Sequence, residues 1–358
     1  MNICFSNETV ASFKDYMFEH LSREGKQGYA YDNSVKFEEK EALLNKAILA
    51  DIERVAGIKF EQDMIAPEVM ANHPNFRFAA FAVVGQLIDS IIPDVIDRSI
   101  GLYTETRYGA FGDSFRFDVE PNDLFFVSKV GRDQRSVEFQ RQYTGTQYVT
   151  PENHAISVAV NLFRVLCGLD SLAKFVMKAI LSVEANITKE AYGIISTAMS
   201  NLPATPADGA LRVTAAGGAV DKTSAIRLAQ TVSAFNGGAP AIFVGTKVAL
   251  SHLFPDSESG FNYNDAGIAY FRNVWGVDTL ELAQVADYAN KYKLALDDKK
   301  IFVLSPSSDK LLKLCYEGAT MTSDIKDTAN GLQGTTLNKS YGMAIATNAV
   351  AGVIELGE

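Results

Sequence analysis

The sequence predicts an α+β fold, and three observations carry that prediction. A helical stripe of unusual length runs over Leu169–Ser200, an aromatic β-hairpin occupies residues 113–150, and short helices alternate with short strands from Asp221 onward. Apolar residues at period 3.6 bury one face of a helix and at period two one face of a strand, so the two patterns can be told apart along the chain.

Residues 1–60 read as helical and charged. Over Phe37–Ala56, Leu44, Ile48, Ile52 and Val55 fall on one stripe, while Glu38, Glu39, Lys40, Glu41 and Lys46 are mostly solvated and Gly57 stops the helix. A helix packed on its own domain and a partner-facing arm both satisfy this pattern. From Ile58 to Arg98 the chain is mixed and apolar, with Pro67, Pro74 and Pro93 as expected breakers. The apolar stretch Phe76–Ile96 is interrupted by Arg77, Gln86 and Asp89, which leaves it short of the roughly 18 apolar residues of a spanning helix.

In Ser114–Val130, SFRFDVEPNDLFFVSKV, the residues Phe115, Phe117 and Val119 alternate, a turn-prone Glu120–Asp123 interrupts, and Leu124–Val127 resumes. Beyond Gly131–Arg135, the residues Val137, Phe139 and Tyr143 share a face broken only by Arg141. The two halves predict a long β-hairpin with a charged tip at Arg132 and Arg135, whose return leg leads to a strand at Ala155–Val160. The Leu169–Ser200 helix would span about 45 Å at 1.5 Å per residue, which makes it a scaffold rod. The Ala-, Gly-, Pro- and Thr-rich segment Pro203–Gly218 is the expected boundary between two lobes. After it, Asp221 caps a helix to Phe235, Ala241–Gly245 is a strand, Thr246–Phe254 a helix, and strands are expected at Thr279–Ala283, Ile301–Ser305 and Leu311–Tyr316. Tyr341–Leu356 reads as one closing strand.

A chain of 358 residues with 47% hydrophobic and 21% charged residues folds and buries a sizeable core. Its net charge of −10 disfavours general binding to phosphate backbones or anionic lipid. Cys4, Cys167 and Cys315 are dispersed, which suggests neither a disulfide framework nor a thiolate metal site. No export signal is evident at the N-terminus. His20, His73, His154 and His252 lie in no metal-ligand spacing, and neither a hydrolase elbow nor a dinucleotide fingerprint is present. The closest approach to a phosphate loop, Ala216–Thr223, has Asp221 where a glycine is required, so it reads as a connector into a capped helix. Asp297-Asp298-Lys299-Lys300 reads as a turn. No catalytic residue, cofactor site or metal site is expected.

A two-stranded ribbon alone is marginal in water, and this one carries Phe115, Phe117, Phe125, Phe126, Phe139 and Tyr143. Burying each such side chain is worth roughly 1.5–3 kcal/mol, so the ribbon needs a cover, either its own lobe or a neighbouring copy. The residues alone leave both open.

The order of elements resembles the major capsid proteins of tailed bacteriophages, the HK97-fold family. The matching features are the charged helical N-terminal arm, the extended loop SFRFDVEPNDLFFVSKVGRDQRSVEFQRQYTGTQYVT, the spine helix GLDSLAKFVMKAILSVEANITKEAYGIISTAM and the lobe beginning DKTSAIRLAQTVSAF. The late segments KKIFVLSPSSDKLLKLCYEG and NKSYGMAIATNAVAGVIEL are similar to the family's closing strands. The resemblance covers most of the chain after about residue 98 and lies in element order, with no short diagnostic motif.

It implies an arm at 1–60, an extended loop at 113–150, a peripheral lobe from 61–112, 151–220 and 336–358 with the spine at 169–200, and an axial lobe at 221–335. It further implies inter-subunit contacts through Phe115, Phe117, Phe125, Phe126, Lys129, Arg132, Arg135, Phe139 and Tyr143, and pentamers and hexamers in an icosahedral shell around double-stranded DNA held without sequence-specific binding. Portal, scaffolding or decoration proteins, a place in the virion and assembly in the host cytoplasm follow from the same resemblance. Lys129 is the one lysine available on the loop for the isopeptide cross-link of some family members, and no matching motif accompanies it. Three alternatives remain at this point: an encapsulin-like compartment shell, a cytosolic α/β enzyme using Lys222, Asn262–Asp265 and Asp297, and a tail-tube or other virion protein in which a ribbon joins neighbours.

Overall fold

Apolar residues recurring every three or four positions make most of the described residues up to Ile100 helical. The computed structural model of the protein describes residues 7–23, 29–59, 65–119, 127, 129, 139–203, 210–215, 220–253, 272–286, 293–306, 309–327 and 332–357. Its first helices are α1 (Asn7–Arg23), α2 (Phe37–Ala56), α3 (Pro67–Asn72) and α4 (Pro74–Ile100). Gly57 closes α2 at φ 70°, a left-handed conformation that costs a residue without Cβ little. Phe13, Tyr16, Ile48 and Ile52 are buried in the main core, where α1 and α2 pack on α4. The expected arm at 1–60 is therefore docked through Asn7–Arg23 and Phe37–Ala56, because its apolar stripe has a partner within the same chain.

Pro67 and Pro74 open their helices at the first turn, where a missing N–H costs nothing. Pro93 is the exception among the expected breakers: α4 runs through it to Ile100. A proline inside a helix costs about 3 kcal/mol. Ile88, Ile91, Ile92, Val95 and Ile96 around it are all buried, each worth roughly 1.5–3 kcal/mol, so packing overrides the local penalty. α4 alone among the described helices has the length and apolarity of a membrane span, and those residues are spent on the core.

A four-stranded sheet lies against α4 in the order β1 (Thr104–Gly109), β10 (Leu312–Asp327), β11 (Leu332–Ile345), β4 (Glu152–Val160). β1 is parallel to β10 and the other pairs are antiparallel. A separate two-stranded ribbon joins β2 (Phe115–Val119) to β3 (Gly145–Val149). The short α5 (Leu162–Leu166) leads to the rod, α6 (Leu172–Ser200), of 29 residues. Ser171 caps it, and Asn45 of α2 reaches the same turn, its Oδ1 accepting from the Ala173 N–H at 3.0 Å and its Nδ2 donating to Ser171 Oγ at 3.0 Å. Its stripe, including Val176, Ile180, Ile187 and Ile195, is buried against α4 and the four-stranded sheet.

The far end of α6 meets a six-stranded sheet. Its order is β5 (Arg212–Ala215), β12 (Gly352–Leu356), β9 (Lys300–Leu304), β6 (Ile242–Gly245), β8 (Val277–Glu281), β7 (Asn273–Val274). The Tyr192 ring packs edge-on to Phe302 at 5.6 Å and donates its hydroxyl to the Asp297 carbonyl at 2.7 Å, joining rod to sheet. α7 (Lys222–Phe235) and α8 (Lys247–Ser251) cover this sheet around Leu228, Val232, Leu250 and Phe243. Asp221 caps α7, accepting from Ser224 Oγ at 2.7 Å and Ser224 N at 2.8 Å, and those bonds hold its carboxyl below the ordinary range.

Three expectations need correction. The segment Pro203–Gly218 contains β5, which pairs in parallel with β12, so part of the expected boundary is sheet. The single strand expected over Tyr341–Leu356 is two: β11 ends at Ile345 and β12 begins at Gly352 in the other sheet. The lobe limits shift with it, because residues 312–327 and 332–345 pair with β1 and β4, while 352–356 join the sheet of β5, β6, β8 and β9. The chain crosses between these two sheets three times, from β4 through α6 to β5, from β9 to β10 and from β11 to β12, and only partners distant in sequence reveal where.

Candidate functional site

The ribbon is where the sequence concentrates uncovered aromatic surface, and β2 builds its root. Phe115, Phe117 and Val119 are buried and Arg116 and Asp118 exposed, the alternation that period two dictates. The exposed pair makes its own contact, Arg116 Nη2 lying 2.9 Å from an Asp118 carboxylate oxygen. Phe115 stands opposite Val149 and Phe117 opposite Gln147. Phe115, Phe117, Val149 and Cys315 of β10 form a cluster of their own, with Ala344 of β11 packed against it. Arg107 of β1 closes the other side, its guanidinium 4.7 Å from the centre of the Phe117 ring and donating to the Arg116 carbonyl.

The turn feeding the ribbon is equally fixed. Asp113 Oδ2 accepts the Ala110 N–H at 2.7 Å, and Glu317 accepts the N–H of Gly112 at 2.7 Å. At φ 87° Gly112 is in a conformation that L side chains rarely adopt. On the return leg a Cβ at Gly342 would collide with the Thr150 carbonyl, so β11 approaches the ribbon's exit only as glycine. The root is thus bolted to the four-stranded sheet of its own chain.

Beyond the root the picture reverses. Phe139 is 99% exposed, Val127 89% and Tyr143 71%, and Lys129 is also exposed. Phe125, Phe126, Arg132 and Arg135 lie outside the described residues. The nine residues expected to meet a neighbour therefore divide: Phe115 and Phe117 are committed to their own chain, while Lys129, Phe139 and Tyr143 have no cover from it. The sequence reading missed the partners that hold the root. Cys315 and Gly342 are some two hundred positions away, and no local pattern points to them; the Gly109–Gly112 pair was the one signal that a tight turn precedes the ribbon.

The second anchor of this sheet is electrostatic. Lys313 of β10 is fully buried, donating to Glu105 Oε2 at 2.7 Å and to Asp309 Oδ1 at 2.6 Å. Burial raises the Glu105 carboxyl, but the bonds and charges of Lys313 and then Arg107 outweigh it and hold that carboxyl below the ordinary range. Among the described residues no group of histidine, cysteine and carboxylate side chains could hold a metal ion. Asp298 accepts from Thr246 and from Gln284 Nε2, and Asp297 from the Lys299 N–H at 3.0 Å, the bonds of a capped turn. Asn262–Asp265 lie outside the described residues.

Over residues 26–355 the chain matches a family model described as "SPbeta prophage-derived putative capsid protein YonB". Among solved structures it is similar to the capsid of a native GTA particle, at TM-score 0.51 and 12% identity, covering 73% of this chain and 90% of that one. The mature capsid of bacteriophage PhiM1 aligns at TM-score 0.46 and 15% identity over 72% of this chain and 86% of that one. A virus-like particle from Pyrococcus furiosus aligns at 0.44 and 13% over 74% and 96%. No curated protein sequence matches the chain significantly.

Proposed function

The chain belongs to the YonB family of prophage capsid proteins, and from that premise we propose that it assembles through pentamers and hexamers into an icosahedral shell around double-stranded DNA. It is a structural capsid protein with an α+β fold like that of phage capsids, and a component of the virion. The observation that carries the finer reading is the ribbon: anchored at Phe115 and Phe117, it leaves Val127, Phe139 and Tyr143 uncovered. Apolar side chains left uncovered together on one loop mark a surface that meets a partner. A loop of one copy laid on a different surface of the next is a heterologous contact, which closes into rings when the rotation allows.

In this reading the outer residues Phe125, Phe126, Lys129, Arg132, Arg135, Phe139 and Tyr143 meet the adjacent subunit, and Phe115 and Phe117 aim the loop. The six-stranded sheet with α7 and α8 forms the axial lobe; the four-stranded sheet with α4 and α6 forms the peripheral one. The net charge of −10 suits a wall that confines DNA without adhering to it. Assembly takes place in the host cytoplasm, with portal, scaffolding or decoration proteins as partners and no catalytic step.

Negative-stain microscopy of the expressed chain tests this reading. Closed shells are expected. Open tubes, or a monodisperse monomer at high concentration, would overturn it, and particles filled with protein cargo and no DNA would overturn the DNA part. The paired change of Arg132 and Arg135 to Glu is expected to reduce shell yield, and unaltered yield argues against a role for the tip.

A further inference from the structure

A strand at the margin of a sheet presents unpaired backbone groups, and proteins keep other chains away from it by making it short, charged or bulged. Three of the four outermost strands in the two larger sheets follow that rule. β7 spans two residues and β5 four, too few to guide a partner strand. β1 has six and carries Glu105 and Arg107, and the overhang of β10 past β1 carries Asp324, Lys326 and Asp327. β4 does not follow it. It runs for nine residues and pairs with β11 at each of them without a register shift. It contains no lysine, arginine or proline, and among the described elements β11 alone packs extensively on it. Alternate residues of an antiparallel strand turn their N–H and C=O groups away from the neighbour, and among the described residues no backbone group outside the ladder takes up those of β4. The strand is also held rigid. The His154 ring stacks on Tyr341 with centroids 3.8 Å apart, and Ser157 Oγ lies 3.0 Å from Thr336 Oγ1.

We propose that two copies of the chain join β4 to β4, antiparallel, across a two-fold axis at Ile156. The occupant is chosen by length and by charge. No other outermost strand of these sheets is as long, so β4 of a second copy is the described edge that satisfies the whole row. About that axis Ala155 faces the second copy's Ser157, His154 its Val158, Asn153 its Ala159 and Glu152 its Val160, so no like charges are opposed. The contact is isologous: it closes after two copies and does not propagate into a fibre. Two four-stranded sheets become one across the axis. The uncovered outer part of the ribbon takes no part in it. The inference rests on the shell reading for its role, a clasp between subunits of neighbouring rings, and adds a contact that the ribbon does not make.

Charge placed beside the axis tests the clasp. Ala155→Lys with Ser157→Lys sets lysines of the two copies directly against each other. Both positions are exposed, so the isolated chain should melt as the wild type does, while closed shells are lost in negative stain. Ala155→Lys with Ser157→Glu turns the same two contacts into opposite charges and is expected to restore the shells. Shells from the double-lysine chain at wild-type yield, or no recovery with the lysine and glutamate pair, overturn the clasp and leave the shell reading standing. A second arm uses Ile156→Cys in a chain whose Cys4 and Cys167 are changed to serine. On the axis this residue meets its own copy, so oxidation should give a covalent dimer and nothing larger on non-reducing gels. Absence of that dimer at high chain concentration overturns the clasp. A dimer from this variant beside an unmodified chain that forms no shells overturns the shell reading alone.

Discussion

Phe117 and Phe139 are the same residue type on the same ribbon with opposite surroundings, and the difference sets what each substitution does. Phe117 is fully buried between Arg107 and Cys315, so Phe117→Ala should cost the unassembled chain about 3–5 kcal/mol in chemical denaturation. Phe139→Ala should stay within about 0.5 kcal/mol in the same assay and act only on assembly. Glu105 carries a pH dependence whose sign follows from its depressed carboxyl. Ionised, it holds Lys313 and Arg107; that contribution is complete above about pH 4.3 and is lost as pH falls through the lower folded-state value. The stability gap between the wild type and Glu105→Gln, followed by urea unfolding, should therefore be widest at neutral pH and narrow in acid. A gap that widens on acidification contradicts this assignment. Phe115, Phe117 and Val119 could be read as one buried face from alternation alone, whereas the buried Lys313 could not, since an isolated lysine in a sequence gives no sign of its two carboxylates.

Helix α6 shows how a strong local pattern still needs one contact from elsewhere. Its stripe and its Ser171 cap are written in consecutive residues, but the first turn is completed by Asn45, 126 positions away from Ser171. Asn45→Ala should cost about 1–3 kcal/mol and raise hydrogen exchange at Ala173, because its N–H loses its acceptor in a part-buried site. α4 is the converse case. Pro93 is a breaker by every local rule, and the helix passes through it because the isoleucines on either side have somewhere to go. Removal of residues 1–56 is expected to yield insoluble chain, as it strips α1 and α2 from α4 and exposes the faces that Ile48 and Ile52 cover. A soluble, cooperatively melting product would show that the helical segment is dispensable to the fold.

At the level of the whole molecule, the buried and the exposed side chains of the ribbon occupy separate parts of it, and the proposed function assigns assembly to the exposed part. Excision of residues 121–143 with a short glycine linker should leave circular dichroism and melting of the monomer unchanged while abolishing shells, as judged by light scattering. Retained shells would mean that the outer loop is not what joins the subunits. The two sheets are connected through α6 and by two further crossings of the chain, β9 to β10 and β11 to β12, so an insertion at Ala346–Ala351 disturbs both.

The amphipathic rod, the alternation of Phe115, Phe117 and Val119 and the capped helix after Asp221 were legible in consecutive residues, because period, capping and turn chemistry are local, whereas the alternation expected for Val137, Phe139 and Tyr143 does not hold, since residues 139–144 are outside any strand. The division of Tyr341–Leu356 between two sheets, the passage of α4 through Pro93 and the split of the ribbon into an anchored root and an uncovered outer part were decided by tertiary structure. Strand partnership and burial depend on residues some two hundred positions apart, and a single pass along the chain contains no term for them.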